Sequence, residues 1–145
     1  MTDSILRGGC FCNAVRYELS GSLQNARACH CSRCRKAFSG ASSAYAELSP
    51  SSSLSWVAGE DLLSIYETGE GWGMGFCSIC GSTHCGVHNG KVHGLTLGCI
   101  DGDPGVEIGM HIFVGSKAPW DHIGGNAQQY VEHSASDHDD RKGGA

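Results

Sequence analysis

The sequence predicts a small all-β domain assembled around bound metal. Seven of its nine cysteines fall into three tight groups: Cys10-x-Cys12, Cys29-x-Cys31-x2-Cys34 and Cys77-x2-Cys80. Short stretches alternate apolar and polar residues with the period of a half-buried strand. Turn formers separate those stretches, and the 22 glycines are about twice the usual share.

Taken in order, Val15, Tyr17 and Leu19 alternate with Arg16 and Glu18, which places a strand there with one face on a core. Residues 41–48, 54–57, 62–68, 91–97 and 111–114 read as further short strands. Ser49-Pro50-Ser51-Ser52-Ser53 and Gly102-Asp103-Pro104-Gly105 mark loops. Asn89-Gly90, set between Val87 and Val92, is a two-residue hairpin turn signal. Helical segments are expected only at 32–38 and, weakly, at 126–132. No repeat is visible. Residues 5–133 are expected to form one domain, a size that supports a core of its own. Residues 134–145, SASDHDDRKGGA, are small and charged and are expected to fray.

The cysteine groups carry the chemistry. Four thiolates fill a tetrahedral zinc, whereas three leave one position open for water or substrate. On an extended strand residues i and i+2 share a face, so both thiols of Cys10-Phe11-Cys12 are expected to reach one ion. Cys77-Ser78-Ile79-Cys80 has the spacing of a zinc knuckle, with Gly81 where the chain must bend. The two pairs together make a closed site that spans half the chain. Cys29, Cys31 and Cys34 bring three ligands from six residues and make an open one. His30 alternates with its neighbouring cysteines, so packing or support of the ligands is expected rather than ligation.

An odd number of cysteines suits a disulfide framework poorly. The N-terminal residues show no signal-peptide pattern and no run of about 18 apolar residues exists, so a cytoplasmic chain with reduced thiols is expected. Formal net charge is −5, and seven thiolates with two dipositive ions would bring it to about −8. That balance opposes a nucleic-acid role, which calls for a basic surface. Against this background Arg27, Arg33, Arg35 and Lys36 cluster around the three-cysteine group. Positive charge there favours thiolate and suits a small acidic substrate; an ordinary solvated helical turn would look the same.

Other residues signal less. Cys85 and Cys99 read as buried small hydrophobes. His84, His88 and His93 lie near the hairpin, where a surface position is the default. Trp56 and Trp72 read as core or pocket wall, and Tyr45 as a residue that could line a cleft.

Gly9-Cys10-Phe11-Cys12-Asn13-Ala14-Val15-Arg16-Tyr17, Cys29 to Lys36, Gly40, Phe76-Cys77-Ser78-Ile79-Cys80-Gly81-Ser82, Gly98-Cys99-Ile100-Asp101 and His111 to Trp120 resemble the glutathione-dependent formaldehyde-activating (GFA) family, to which centromere protein V is related. The resemblance spans residues 7 to 121. It implies a β-tent fold and two zinc ions. The structural ion would take Cys10, Cys12, Cys77 and Cys80, and the catalytic ion Cys29, Cys31 and Cys34. Apart from the resemblance, the charge cluster of Arg27, Arg33, Arg35 and Lys36 is expected to receive the carboxylates of a small acidic substrate. Three departures stand out: Asn13 where Gly is frequent, Thr83-His84-Cys85 where apolar residues are usual, and Cys99 in place of a small residue.

The resemblance implies a zinc-dependent carbon–sulfur lyase-type enzyme. It would add glutathione or a related thiol to formaldehyde or another aldehyde, and run the reverse. Its partners would be small thiols and aldehydes, with no nucleic acid or membrane. A non-catalytic zinc-stabilised binding module is the alternative, although this chain lacks the basic region expected for chromatin. A reductase resembling the B-type methionine sulfoxide reductases would need Cys85 or Cys99 as a free reactive thiol, and neither sits in such a motif.

Overall fold

A computed structural model describes residues 5–133; the tail expected at 134–145 lies outside them. The strands are β1 (Ile5–Gly9), β2 (Arg16–Ser20), β3 (Leu23–Cys29), β4 (Tyr45–Leu48), β5 (Ser53–Ala58), β6 (Leu63–Gly69), β7 (Trp72–Cys77), β8 (Thr83–His88), β9 (Lys91–Thr96), β10 (Ile100–Asp101), β11 (Met110–Ile112) and β12 (Gln128–Gln129). One α-helix, α1 (Ser32–Phe38), and three single turns of 3-10 helix complete the described elements. The protein is therefore all-β, as its alternation and turn signals predict. It divides into two compact units, residues 5–24 with 46–106 and residues 25–45 with 107–133.

The first unit contains the antiparallel order β10-β1-β2-β5 and the order β4-β9-β8-β7-β6. Val15, Tyr17 and Leu19 are at most 1% exposed, so the alternation read from the sequence is the buried face. Full burial of such a side chain stabilises the fold by about 1.5–3 kcal/mol. Tyr17 pairs with Gly8 on one side and Trp56 on the other. A Cβ at Gly8 would collide with the Tyr17 hydroxyl, so the strand needs glycine there. Asn89 and Gly90 both adopt positive φ, 51° and 81°, in the hairpin between β8 and β9. This two-residue turn matches the right-handed twist of the flanking strands.

The second unit is built on short parallel pairing. β11 lies between β3 and β12, with Met110, His111 and Ile112 opposite Arg27, Ala28 and Cys29. α1 follows β3 within three residues, so the chain leaves the sheet directly into the helix. The helix has the predicted bounds, and Ser39 ends it in a left-handed conformation at φ 52°. Residues 126–132, expected as a weak helix, instead contain β12. Their backbone groups pair with the segment after β11, and this long-range pairing outweighs weak helix propensity.

Candidate metal centres

The four-thiol centre is made by two hairpin loops of the first unit. Cys10-Phe11-Cys12 lies in the turn joining β1 to β2, not on an extended strand as expected. Cys10 N–H donates to Val15 O at 3.1 Å and Asn13 N–H to Cys10 O at 3.0 Å. Asn13 sits at φ 69°, the left-handed conformation that Asn tolerates. This turn gathers the two thiols, where alternation on a strand had been expected to do so. In the second loop Cys77 closes β7, and Gly81 at φ 84° donates its N–H to Cys77 O at 2.8 Å.

The donors of this centre converge. All four Sγ atoms lie within 4.8 Å of one another. Cys10 and Cys12 Sγ are 3.5 Å apart, and Cys12 and Cys77 Sγ 3.8 Å. Zn–S bonds of about 2.3 Å place tetrahedral sulfurs about 3.8 Å apart, so the donor set fits zinc. Backbone N–H groups of Val15, Ile79 and Cys80 point at the sulfurs of Cys10 and Cys77 at 3.2–3.5 Å. Such donors favour thiolate. The Ser82 hydroxyl and its backbone N–H pull the Cys80 thiol down to about 5.

The three-thiol centre belongs to the second unit. Cys29 ends β3, Cys31 caps α1, and Cys34 lies in the first turn of that helix. Cys31 Sγ accepts from Cys34 N–H at 3.3 Å, so one sulfur both caps the helix and belongs to the thiol group. The three Sγ atoms lie within 4.8 Å of one another, and no fourth Cys, His, Asp or Glu joins them among the described residues. Ser43 braces Cys29: its hydroxyl accepts from Cys29 N–H at 3.1 Å, and its own N–H donates to Cys29 O at 3.0 Å. The strand expected over 41–48 is therefore shortened to Tyr45–Leu48, since residues before it serve this brace.

Hydrogen bonds from Cys29, then Cys34, hold the Cys31 thiol far below the usual range. Cys29 is pushed far up by the Cys31 and Cys34 contacts and by burial. For Cys34 the Cys29 contact lowers the value, but Cys31 and burial outweigh it and the thiol rises to about 11. Zinc takes cysteine as thiolate, so any thiol protons of the group leave as the ion binds.

His30 is 2% exposed, and its Nε2 lies 3.0 Å from Nδ1 of His111. Its backbone N–H donates to Ile112 O at 2.9 Å. The pair ties the cysteine-bearing segment to β11, in keeping with a supporting role. Of the four cations expected near the centre, Arg33 and Lys36 are exposed on α1 and Arg35 is half-buried. Arg27 is 8% exposed on β3, with its Nε donating to Asn25 O at 3.3 Å, so it is held within the unit.

Sequence reasoning missed an apolar wall. Cys31, Ile112 and Phe113 form a buried cluster, and Cys29, Cys34, Met110 and Tyr130 pack against it. Phe113 is at φ 56°, ψ 37°, an uncommon conformation for a bulky residue that costs on the order of 1–3 kcal/mol. Phe113 belongs to the late motif, but nothing in the sequence marked Tyr130 as packing against this cluster. Trp120 of the same motif is 70% exposed.

The remaining candidates separate clearly. Cys85 is buried and its thiol is pushed up to about 11 by that burial. Cys99 is half-buried, with its Sγ donating to Thr83 O at 3.4 Å. Neither belongs to a thiol group. His84, expected at the surface, is 0% exposed and packs edge-on against Tyr17 and Trp56. In β8 the adjacent residues His84 and Cys85 are both buried, so simple alternation does not describe the strand there. His88 is half-buried and stacks on Trp72 at 3.9 Å between ring centroids, with His93 edge-on to the same ring. Tyr45 is half-buried at the start of β4.

No helix among the described residues is long and apolar enough to cross a membrane. No curated protein matches the chain. A crystal structure of a Rhodobacter sphaeroides protein is similar at 27% identity, over 70% of this chain and 96% of that one, with a TM-score of 0.49. The profile of the glutathione-dependent formaldehyde-activating enzyme family matches residues 5–116, which include all seven grouped cysteines. The chain therefore belongs to the glutathione-dependent formaldehyde-activating family, and it carries that family's match on two cysteine groups able to hold zinc.

Proposed function

We propose that the protein is a zinc-dependent carbon–sulfur lyase-type enzyme. It joins glutathione or a related small thiol to formaldehyde or another aldehyde, and cleaves the adduct in reverse. The observation that carries this reading is the division of the thiols into a set of four and a set of three. Four sulfurs satisfy a tetrahedral ion, whereas three keep a place for a fourth, exchangeable ligand. Cys10, Cys12, Cys77 and Cys80 are the structural ligands and Cys29, Cys31 and Cys34 the catalytic ones. A reducing compartment such as the cytoplasm suits both the ligands and the thiol substrate.

In the forward reaction an S–C bond forms as the thiol sulfur attacks the aldehyde carbon. The C=O π bond becomes a C–OH bond, and the thiol proton ends on that oxygen. Bound at Cys29, Cys31 and Cys34, zinc would favour the thiolate form of an incoming sulfur. The protein's own residues prepare the place. Cys31 is fixed by capping α1, Cys29 by the Ser43 brace, and the segment between them by the His30–His111 contact. Arg33, Arg35 and Lys36 on α1 supply positive potential toward glutathione, whose net charge is about −1.

Calorimetry with zinc-loaded protein tests the proposal. Glutathione should bind, should bind more weakly as salt rises, and should not bind to Cys31→Ser. A neutral thiol of similar size should bind less tightly. Equal binding of both thiols, or binding of neither, would favour a zinc-stabilised binding module instead.

A further inference from the structure

We propose that Tyr130 is a positioning residue of the three-thiol centre, its ring completing with Phe113 an apolar wall that favours a thiol over water there. The inference rests on the reading of that centre as an open metal site. Tyr130 is half-buried and packs against the cluster of Cys31, Ile112 and Phe113. Its neighbours Gln128, Gln129, Val131 and Glu132 are all exposed, so Tyr130 is the inward residue of its segment.

That segment lies beyond the family match, which ends at residue 116. It is nevertheless stitched to the residues that line the centre. Tyr130 N–H donates to His111 O at 2.8 Å, and Phe113 N–H to Glu132 O at 2.9 Å. Val114 N–H donates to Tyr130 O at 3.0 Å and Gly115 N–H to Val131 O at 3.1 Å. The ladder holds Phe113 in its left-handed conformation, and a strained bulky residue persists only where its surroundings dictate it. The segment thus forms a backbone clamp and places one inward aromatic ring beside the three-cysteine region.

The physical effect follows from hydration. Water and hydroxide lose strong hydrogen bonds on entering an apolar surrounding, whereas sulfur is soft and weakly hydrated. An apolar wall therefore biases an exchangeable position toward sulfur. Removing the ring should admit water and weaken thiol binding without removing a metal ligand.

Cobalt(II)-loaded full-length protein tests this, because its visible bands report the ligands around the ion without requiring turnover. Tyr130→Ala, Tyr130→Leu, Tyr130→Phe and Gln129→Ala are compared with the unaltered chain. All should take up cobalt with the same stoichiometry. Glutathione titrated against the bands should bind on the order of tenfold more weakly to Tyr130→Ala, the range seen when supports of metal ligands are removed. Tyr130→Leu should fall between, and Tyr130→Phe and Gln129→Ala should match the unaltered chain. Unchanged affinity in Tyr130→Ala, or an equal loss in Tyr130→Phe, would overturn the assignment. So would loss of the melting transition in both Tyr130→Ala and Tyr130→Leu, which would make Tyr130 a folding residue. Failure of the unaltered protein to show any thiol-dependent band shift would instead overturn the open-site reading, and this inference with it.

Discussion

The two thiol groups use the same donor atom and are built in opposite ways. The group of four joins loops whose cysteines lie 65 residues apart, Cys12 and Cys77. The group of three comes from residues 29–34 and is organised by its own helix cap and a serine brace. An ion at the first closes a long loop, so its binding energy is folding energy. An ion at the second closes almost no loop, because the backbone already places the sulfurs. The contrast teaches that ligand spacing along the chain predicts what a metal does for the fold. Distant ligands make it a staple, and local ligands leave it free for chemistry.

The largest expected effect breaks the comparison if it fails. Cys77→Ser should abolish the cooperative melting transition, since structural zinc supplies roughly 10–16 kcal/mol in small zinc peptides and domains are stable by about 5–15. Cys31→Ser should keep that transition and lose only the metal of its own group. Thermal melts with metal analysis of both variants decide the matter. A Cys77→Ser protein that keeps its zinc and melting temperature would mean that the structural and open roles are reversed.

Acid sharpens the comparison by separating burial from metal release. Burial holds His84 below its ordinary value of 6.5. The unfolded chain therefore binds more protons between that folded value and 6.5. His84 contributes its stability fully above about pH 6.5, and the contribution is lost as pH falls below it. Replacing it by His84→Leu should remove up to one proton from the pH dependence, about 1.4 kcal/mol per pH unit at most. Denaturant melts of zinc-loaded protein between pH 8 and 5.5 measure the slope. Equal slopes for both proteins would show that His84 does not carry the acid sensitivity of the first unit.

The smallest expected effect is electrostatic and confined to the second unit. Arg33→Glu reverses an exposed charge on α1, where single surface pairs contribute about 0.2–1 kcal/mol. Glutathione affinity should fall by about two- to fivefold, with no change in melting temperature. The loss should shrink in 0.5 M salt, where screening acts over a few ångströms. A loss that persists at high salt would indicate a direct contact and place Arg33 in the binding site itself.

Much of the candidate site was legible because its signals are local. The cysteine spacings, the helix over 32–38 and the Asn89-Gly90 hairpin all follow from geometry within a few residues. The strand at 15–19 was legible because alternation records its buried face. Strands β1, β7 and β8 were not, since glycines interrupt their patterns. In β7, Gly75 is needed because a Cβ there would come within 2.7 Å of Cys85 Sγ. That requirement exists only once β7 and β8 are paired. Residues 126–132 misled for a related reason, as their pairing partners lie some 15 or more residues away in the chain.

The sequence by itself determined the two thiol groups, their division into four and three, and the all-β class. Each follows from residue type and short spacing, which the chain carries into any conformation. Only the tertiary structure decided that His84 is core, that Arg27 is held within its unit, and that Tyr130 packs against the cluster of Cys31, Ile112 and Phe113. These outcomes depend on which strands pair and which faces are buried. Such choices are set by the sum of contacts between residues far apart in the chain, which no local pattern records.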